Sequence, residues 1–245
     1  VMLDKAIKEN QLTLYYQPKM DIQNNNIRGV EALLRWQNKS EGFIPPDKFI
    51  PLAEKTGLIH EITKWVLNEA INKISEWQKE GKNISVAINL SSKDIKDRQL
   101  IVYTKSLLDY YNVSPEMLEF EITETAILEN GETVKEFLDE VKNLGIKISL
   151  DDFGTGYNSL KYLEELSIDY LKIDQSFVKK MNRAKSNKIV KATINLAHEL
   201  GIQTVAEGVE TKEMLELLTD MHCDIVQGYY FSKPVPDINK IKFIA

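Results

Sequence analysis

The sequence predicts an α/β fold, a TIM-type (β/α)8 barrel whose first strand runs antiparallel to the others. Three observations carry this. Eight short β-rich runs recur along the 245 residues, segments of helical period separate them, and the link between the first two runs is too short for the crossover helix that parallel neighbours need. The length suits one large domain, and a hydrophobic content of 43% can fill a sizeable core.

The elements follow in order. LTLYYQP (12–18) and IRGVEALLRW (27–36) are joined by MDIQNNN, which reads as a hairpin and reverses the first strand. The longest helical pattern comes next, with Ile62, Val66, Ala70, Ile74 and Trp77 on one face, and Gly81 stops it. ISVAINLS (84–91) is the third strand, and Ser91 with Asp94 forms a capping box that opens the helix after it. LEFEITE (118–124) precedes a helix faced by Phe137, Val141 and Leu144 and ended by Gly145. IKISLDD (146–152), DYLKID (169–174), IQTVAEG (202–208) and DIVQGYY (224–230) complete the eight, with Gly201 closing the helix before the seventh. No second domain, long linker or low-complexity segment is visible, so residues 1–245 read as one domain; because the chain starts at a helix-like segment, it is expected to be a piece excised from a longer multidomain protein.

Charge and composition narrow the function. With 31 Lys+Arg against 37 Asp+Glu the net charge is −6, which argues against affinity for nucleic-acid polymers and leaves room for a small anionic ligand. Cys223 is the single cysteine, so neither an intramolecular disulfide nor a cysteine-built zinc site can form, and a cytoplasmic setting is expected. No apolar stretch approaches the ~18 to 20 residues that cross a bilayer, and VMLDKAIKEN lacks a signal-peptide pattern. No direct membrane contact is expected from this domain.

Polar residues interrupt the strands at one end. Glu31, Asn89, Glu121, Asp151, Asp152, Lys172, Glu207 and Gln227 all fall at or near the carboxyl ends of expected strands, the rim on which barrel active sites are built. Alternation places Glu31 and Arg35 on the same face of their strand, as it does Lys172 and Asp174 on theirs, while Leu171 and Ile173 face the helices. Five carboxylates crowding one mouth, with Arg35 and Lys172 nearby, call for concentrated positive charge. An all-oxygen donor set without His or Cys favours Mg2+ or Mn2+, and the adjacent pair Asp151 and Asp152 suits two ions ~3.5 to 4 Å apart. Any one of these acids alone is more commonly a helix cap or a surface ion pair. Their coincidence on one rim is what argues for a site.

VEALLRW resembles the motif that names the EAL domain, the family of bacterial phosphodiesterases specific for cyclic di-GMP. The likeness continues in order through FIPLAEKTGLI, AINLS, FEITETA, LDDFGTGYNSL, LKIDQSFV, VAEGVET and VQGYYFSKP, nearly the whole chain. The resemblance implies a barrel with a reversed first strand, in agreement with the hairpin. It also implies roles: Glu31, Asn89, Glu121 and Asp151 as ligands of a first metal, Asp151 bridging to a second held with Asp152, and Lys172 positioning the attacking water. Glu207 resembles the glutamate assigned as general base or as organiser of the second metal, and Gln227 a further active-site residue. Arg35 and Gln17 match ligand contacts, and Glu124 the glutamate that holds the DDFGTGY loop.

The function so implied is metal-dependent hydrolysis of cyclic di-GMP to linear pGpG by in-line attack of an activated water. Its rivals are a non-catalytic cyclic di-GMP receptor, a different metal-dependent barrel lyase using Lys172 as base, and a dimerising scaffold. Complete motifs favour catalysis over the receptor, and their ordered series disfavours the lyase. The resemblance further implies a homodimer and covalent fusion to sensor or cyclase-like domains.

Overall fold

The computed structural model describes residues 2–154 and 163–241. Its strands are β1 Leu12–Asp21, β2 Asn26–Asn38, β3 Gly42–Ile44, β4 Ser85–Asn89, β5 Leu118–Thr123, β6 Lys147–Phe153, β7 Tyr170–Ile173, β8 Gln203–Ala206 and β9 Ile225–Val226. They hydrogen-bond in the order β1-β9-β8-β7-β6-β5-β4-β2-β3, and a β1–β2 pairing closes the ring. Eight strands thus form a closed barrel, with β3 attached outside it to the far end of β2. β1 is antiparallel to both β2 and β9, while the other neighbours around the barrel are parallel.

The reversal has the local cause read from the sequence. Asn25 adopts a left-handed conformation (φ 48°), and Asp21 accepts from the Asn24 amide at 2.9 Å, so the chain turns back within a few residues. The ninth strand was not expected. β3 is three residues long and pairs Trp36 with Ile44 and Asn38 with Gly42, making a ribbon of the outer part of β2.

Helices clothe the barrel as their periods require. Ile62, Val66, Ala70, Ile74 and Trp77 are all buried on the helix Ile59–Lys79, and Phe137 and Val141 are buried on Glu124–Leu144, which breaks at Gly131. Gly81, Gly145 and Gly201 take positive φ at or just beyond helix ends, where a Cβ would be strained. The Ser91–Asp94 capping box is present: Asp94 Oδ2 accepts from Ser91 N at 3.0 Å, and Asp94 N donates to Ser91 Oγ at 3.2 Å. What it opens is a single 3-10 turn, Asp94–Lys96, and the α-helix proper begins at Arg98 with Asp97 as its cap. Among the described residues, no helix is long and apolar enough to cross a membrane.

Alternation lines much of the barrel interior with polar side chains. Gln17 and Lys19 from β1, Glu31 from β2, Glu119 and Glu121 from β5, Ser149 and Asp151 from β6, and Lys172 from β7 are all buried. The apolar core lies outside the barrel, between strands and helices, where Val86, Ile88, Leu118, Phe120, Ile122, Ile148, Leu150 and Leu171 are at most 1% exposed.

Candidate active site

Lys172 organises the mouth. Its side chain is 1% exposed, and Nζ lies 2.7 Å from Glu121 Oε2, 2.9 Å from Glu207 Oε1, 3.0 Å from Asp151 Oδ2 and 3.9 Å from Glu31 Oε2. Four of the five expected carboxylates therefore converge on one ammonium. Glu31 in turn accepts from Asn89 Nδ2 at 2.8 Å and Gln227 Nε2 at 2.7 Å, and Gln227 donates also to Gln17 Oε1 at 3.1 Å. Gln17 reaches the chain's C-terminal segment through Ser232 O at 3.3 Å. Glu31 lies well inside β2, but β2 pairs with β4 only over Gly29–Ala32, so Glu31 stands at the end of the barrel-forming part. Glu207 and Gln227 fall just past β8 and β9.

Asp152 shows how two adjacent aspartates serve one mouth. In a regular strand neighbouring side chains point to opposite faces. Here the β6–β7 register shifts between Leu150 and Phe153, and Asp152 is held at φ 56°, with its amide bonded to Asp151 Oδ1 at 2.8 Å. This irregularity turns Asp152 toward its neighbour's side, so that Asp151, Asp152 and Glu207 each offer an oxygen, all within 4.8 Å of one another.

The electrostatics show unfinished neutralisation. Burial, with Glu121 and Asp151 nearby, pushes Glu31 above the usual carboxylate range. Burial and Asp151 do the same to Asp152, and burial drives Glu207 up to about 8 despite Lys172. Glu121 is the exception. Burial opposes its charge, but Lys172 and Lys19 outweigh it and hold the carboxyl down to about 2. The same acids overcome the burial of Lys172 and keep it charged. An excess of buried negative charge with only oxygen donors fits a hard divalent cation.

Two expected residues stand apart from this cluster, and one expected pairing is not made. Arg35 donates to Leu34 O at 2.9 Å, and its guanidinium lies 5.6 Å from the centroid of the Tyr15 ring. It lines a cavity of about 480 Å³ beside the mouth, together with Asn89, Ser91 and Thr123. Glu124 is buried and accepts from Gly154 N at 3.4 Å; the remainder of the DDFGTGY loop it was expected to hold lies outside the described residues. Asp174, expected to share a face with Lys172, leaves the strand and caps the turn Gln175–Val178 by accepting from Ser176 N at 3.0 Å. A second cavity of about 200 Å³ opens onto Gln17, Glu31, Glu207, Gln227 and the half-exposed ring of Tyr229.

The sequence reading missed a deeper layer. Lys19 Nζ lies 2.7 Å from Glu119 Oε1 and 2.5 Å from Glu121 Oε1, and Ser149 Oγ donates to Glu119 Oε1 at 2.5 Å. The signal was available: Lys19, Glu119 and Ser149 each sit two positions from Gln17, Glu121 and Asp151, on the same strand face.

Fold and site together define an α/β barrel with a cluster of carboxylate oxygens at its carboxyl-terminal mouth that could hold a cation. The EAL domain sequence model matches residues 1–234, and the chain belongs to the EAL domain family. It is 39% identical over 245 residues to the signaling protein YkoW of Bacillus subtilis, covering all of this chain and 31% of YkoW. It is 36% identical over 236 residues to the cyclic di-GMP phosphodiesterase NbdA of Pseudomonas aeruginosa, covering 96% of this chain and 30% of NbdA. The chain thus spans about a third of the length of these curated relatives. Among solved structures, the PaMucR phosphodiesterase in complex with c-di-GMP superposes with a TM-score of 0.92 at 38% identity, covering 97% of both chains.

Proposed function

We propose that this domain hydrolyses cyclic di-GMP to linear pGpG with two Mg2+ or Mn2+ ions. The observation that carries the reading is the meeting of Asp151, Asp152 and Glu207 within 4.8 Å, beside the buried Lys172 ammonium. The relatives support the ligand: NbdA is named a cyclic di-GMP phosphodiesterase, and PaMucR was solved with c-di-GMP. Glu31, Asn89, Glu121 and Asp151 would hold one ion, and Asp151 with Asp152 the other. Ions so held lower the pKa of bound water and offset charge on phosphoryl oxygens.

The chain's own groups do the rest. Lys172 orients the attacking water from its place between Asp151 and Glu207, and Glu207 either receives the water's proton or helps to organise the second ion with Asp152. Gln227 fixes the Glu31 carboxylate and is itself steadied by Gln17. Arg35 turns from the Leu34 carbonyl to a ligand phosphate, for which its planar fork of donors is suited. The water attacks one phosphorus in line, the opposite ester oxygen leaves and takes up a proton from solvent to become the free hydroxyl, and the ring opens.

The test is incubation with cyclic di-GMP and either ion, followed by chromatographic separation of nucleotides. Linear product is expected only with the ion, and none from Glu31→Ala or Asp151→Ala. Intact binding without turnover would make the domain a receptor, and normal turnover by Glu31→Ala would remove the ligand assignment.

A further inference from the structure

Lys19 lies below the mouth and touches no part of the proposed substrate path, yet it is 3% exposed and spans the barrel interior. It rises from β1 and meets Glu119 and Glu121 on β5, across the two intervening strands β2 and β4. The intervening strands leave room for it. Gly29 on β2 stands directly opposite Lys19 in the register and has no side chain, and Ala87 on β4, paired with Glu119, has only a methyl group. A larger residue at position 29 would crowd this space, since a Cβ there would come within 2.3 Å of Ser85 Oγ, which would have to turn aside, and 3.0 Å of Ser85 O.

A long cationic side chain crossing a barrel needs compensation for its buried charge, and Lys19 has two carboxylates rather than one. Glu119 is itself fixed by Ser149 Oγ at 2.5 Å. A chain of contacts therefore runs from Ser149 through Glu119 and Lys19 to Glu121 Oε1, while Glu121 Oε2 is held by Lys172. Both oxygens of Glu121 are anchored from opposite sides, which fixes the plane of the carboxylate. Each oxygen has a second lone pair, so a cation can still be bound.

We infer that Lys19 is a positioning residue for the metal centre: supported by Glu119 and Ser149, it sets the orientation in which Glu121 presents its carboxylate to the ion. The inference rests on the proposed reading of Glu121 as a ligand. Outer partners that orient metal-binding carboxylates typically cost ~10- to 100-fold in metal affinity when removed.

Removing Lys19 alone would leave Glu119 buried without its cation, and Lys19→Met could fail to fold for that reason. The decisive variant is therefore Lys19→Met combined with Glu119→Gln, which removes the cation and its supporting charge together. Manganese affinity is measured calorimetrically on the metal-free proteins, alongside thermal unfolding without metal. The double variant is expected to unfold close to the unaltered protein yet to bind manganese about 10- to 100-fold more weakly. Turnover should fall at limiting manganese and recover at saturation, with KM for cyclic di-GMP unchanged. Lys19→Arg, which keeps a buried cation able to donate to Glu121, should bind manganese more tightly than the double variant. If the double variant binds manganese within about twofold of the unaltered protein, Lys19 serves stability alone and the inference is overturned. Absence of manganese binding in the unaltered protein would remove the metal reading and this inference together, an outcome distinct from that one.

Discussion

Gly228→Ala should damage stability and turnover together, although it adds one methyl group and touches no charged residue. A Cβ built on Gly228 would stand 2.0 Å from Val209 O and 2.4 Å from Val209 N, both backbone atoms that no rotamer change can move. The segments must part by about 1 Å to reach even the 3.0 Å floor of real Cβ contacts. Two backbone bonds lace them, Val209 N to Gln227 O at 3.1 Å and Tyr230 N to Val209 O at 3.0 Å. At about 1 kcal/mol net for each bond, plus the strain of overpacking, the cost comes to about 2 to 4 kcal/mol. The same shift carries Gln227 and Glu207, the neighbours of this crossing, and a 1 Å misplacement of reacting groups can cost ~10²-fold in rate. Urea unfolding and cyclic di-GMP turnover read the two effects. Gly81→Ala is the control: φ is 75° and nothing lies within 4 Å of the added atom, so it should cost about 1 kcal/mol in strain and leave turnover alone. A Gly228→Ala protein within about 0.5 kcal/mol of the original and fully active would refute the reasoning.

Manganese at about a hundred times its dissociation constant should stabilise the fold by about 2.7 kcal/mol, and a chelator should reverse this; a melting temperature indifferent to manganese would count against a cation site. Asp169 gives a pH dependence. Burial opposes its charge, but Lys142, the Ile148 amide and Lys147, at 2.8, 2.9 and 3.1 Å, hold its carboxyl below the ordinary range. A folded pKa below the unfolded value means that its contribution is complete above about pH 4 and is lost as pH falls through the folded value. Asp169→Asn should therefore lose stability at neutral pH and show a shallower acid decline in urea titrations, and an unchanged acid slope would contradict this. Cys223 is 2% exposed and burial pushes its thiol up to about 11, so a thiol reagent should label it only at the rate of unfolding; prompt labelling of the native protein would contradict that burial.

Most of the barrel was legible because its strands carry their own signals. β-rich runs such as ISVAINLS and IKISLDD lie between helical patterns closed by glycine, and those local preferences agree with the observed elements. β3 was not legible, since Gly42–Ile44 is too short to show a period and is defined only by its pairing with β2. The ends of the later strands were read too long for a related reason. Glu207 and Gln227 follow apolar runs that look like strand, yet their amides bond at the barrel's rim to Ile173 O and Ala206 O, outside the regular ladders.

The site divides differently, between which residues are present and how their charges are shared. Sequence alone showed an acidic rim with Lys172 and suggested that a cation must balance it, but it could not say how much of the imbalance the chain settles internally. Lys172 and Lys19 together hold Glu121 firmly ionised, whereas Glu31, Asp152 and Glu207 are left above their ordinary range. The uncompensated charge is thus concentrated toward the mouth, where Asp152 is turned in by a backbone irregularity that no residue pattern announces. Enough lysines to neutralise the rim fully would leave no electrostatic reason for a divalent ion to bind there, and none at all would leave a buried cluster too repulsive to fold. The observed count lies between these limits, so folding without a cation and binding one afterwards are both open to this chain.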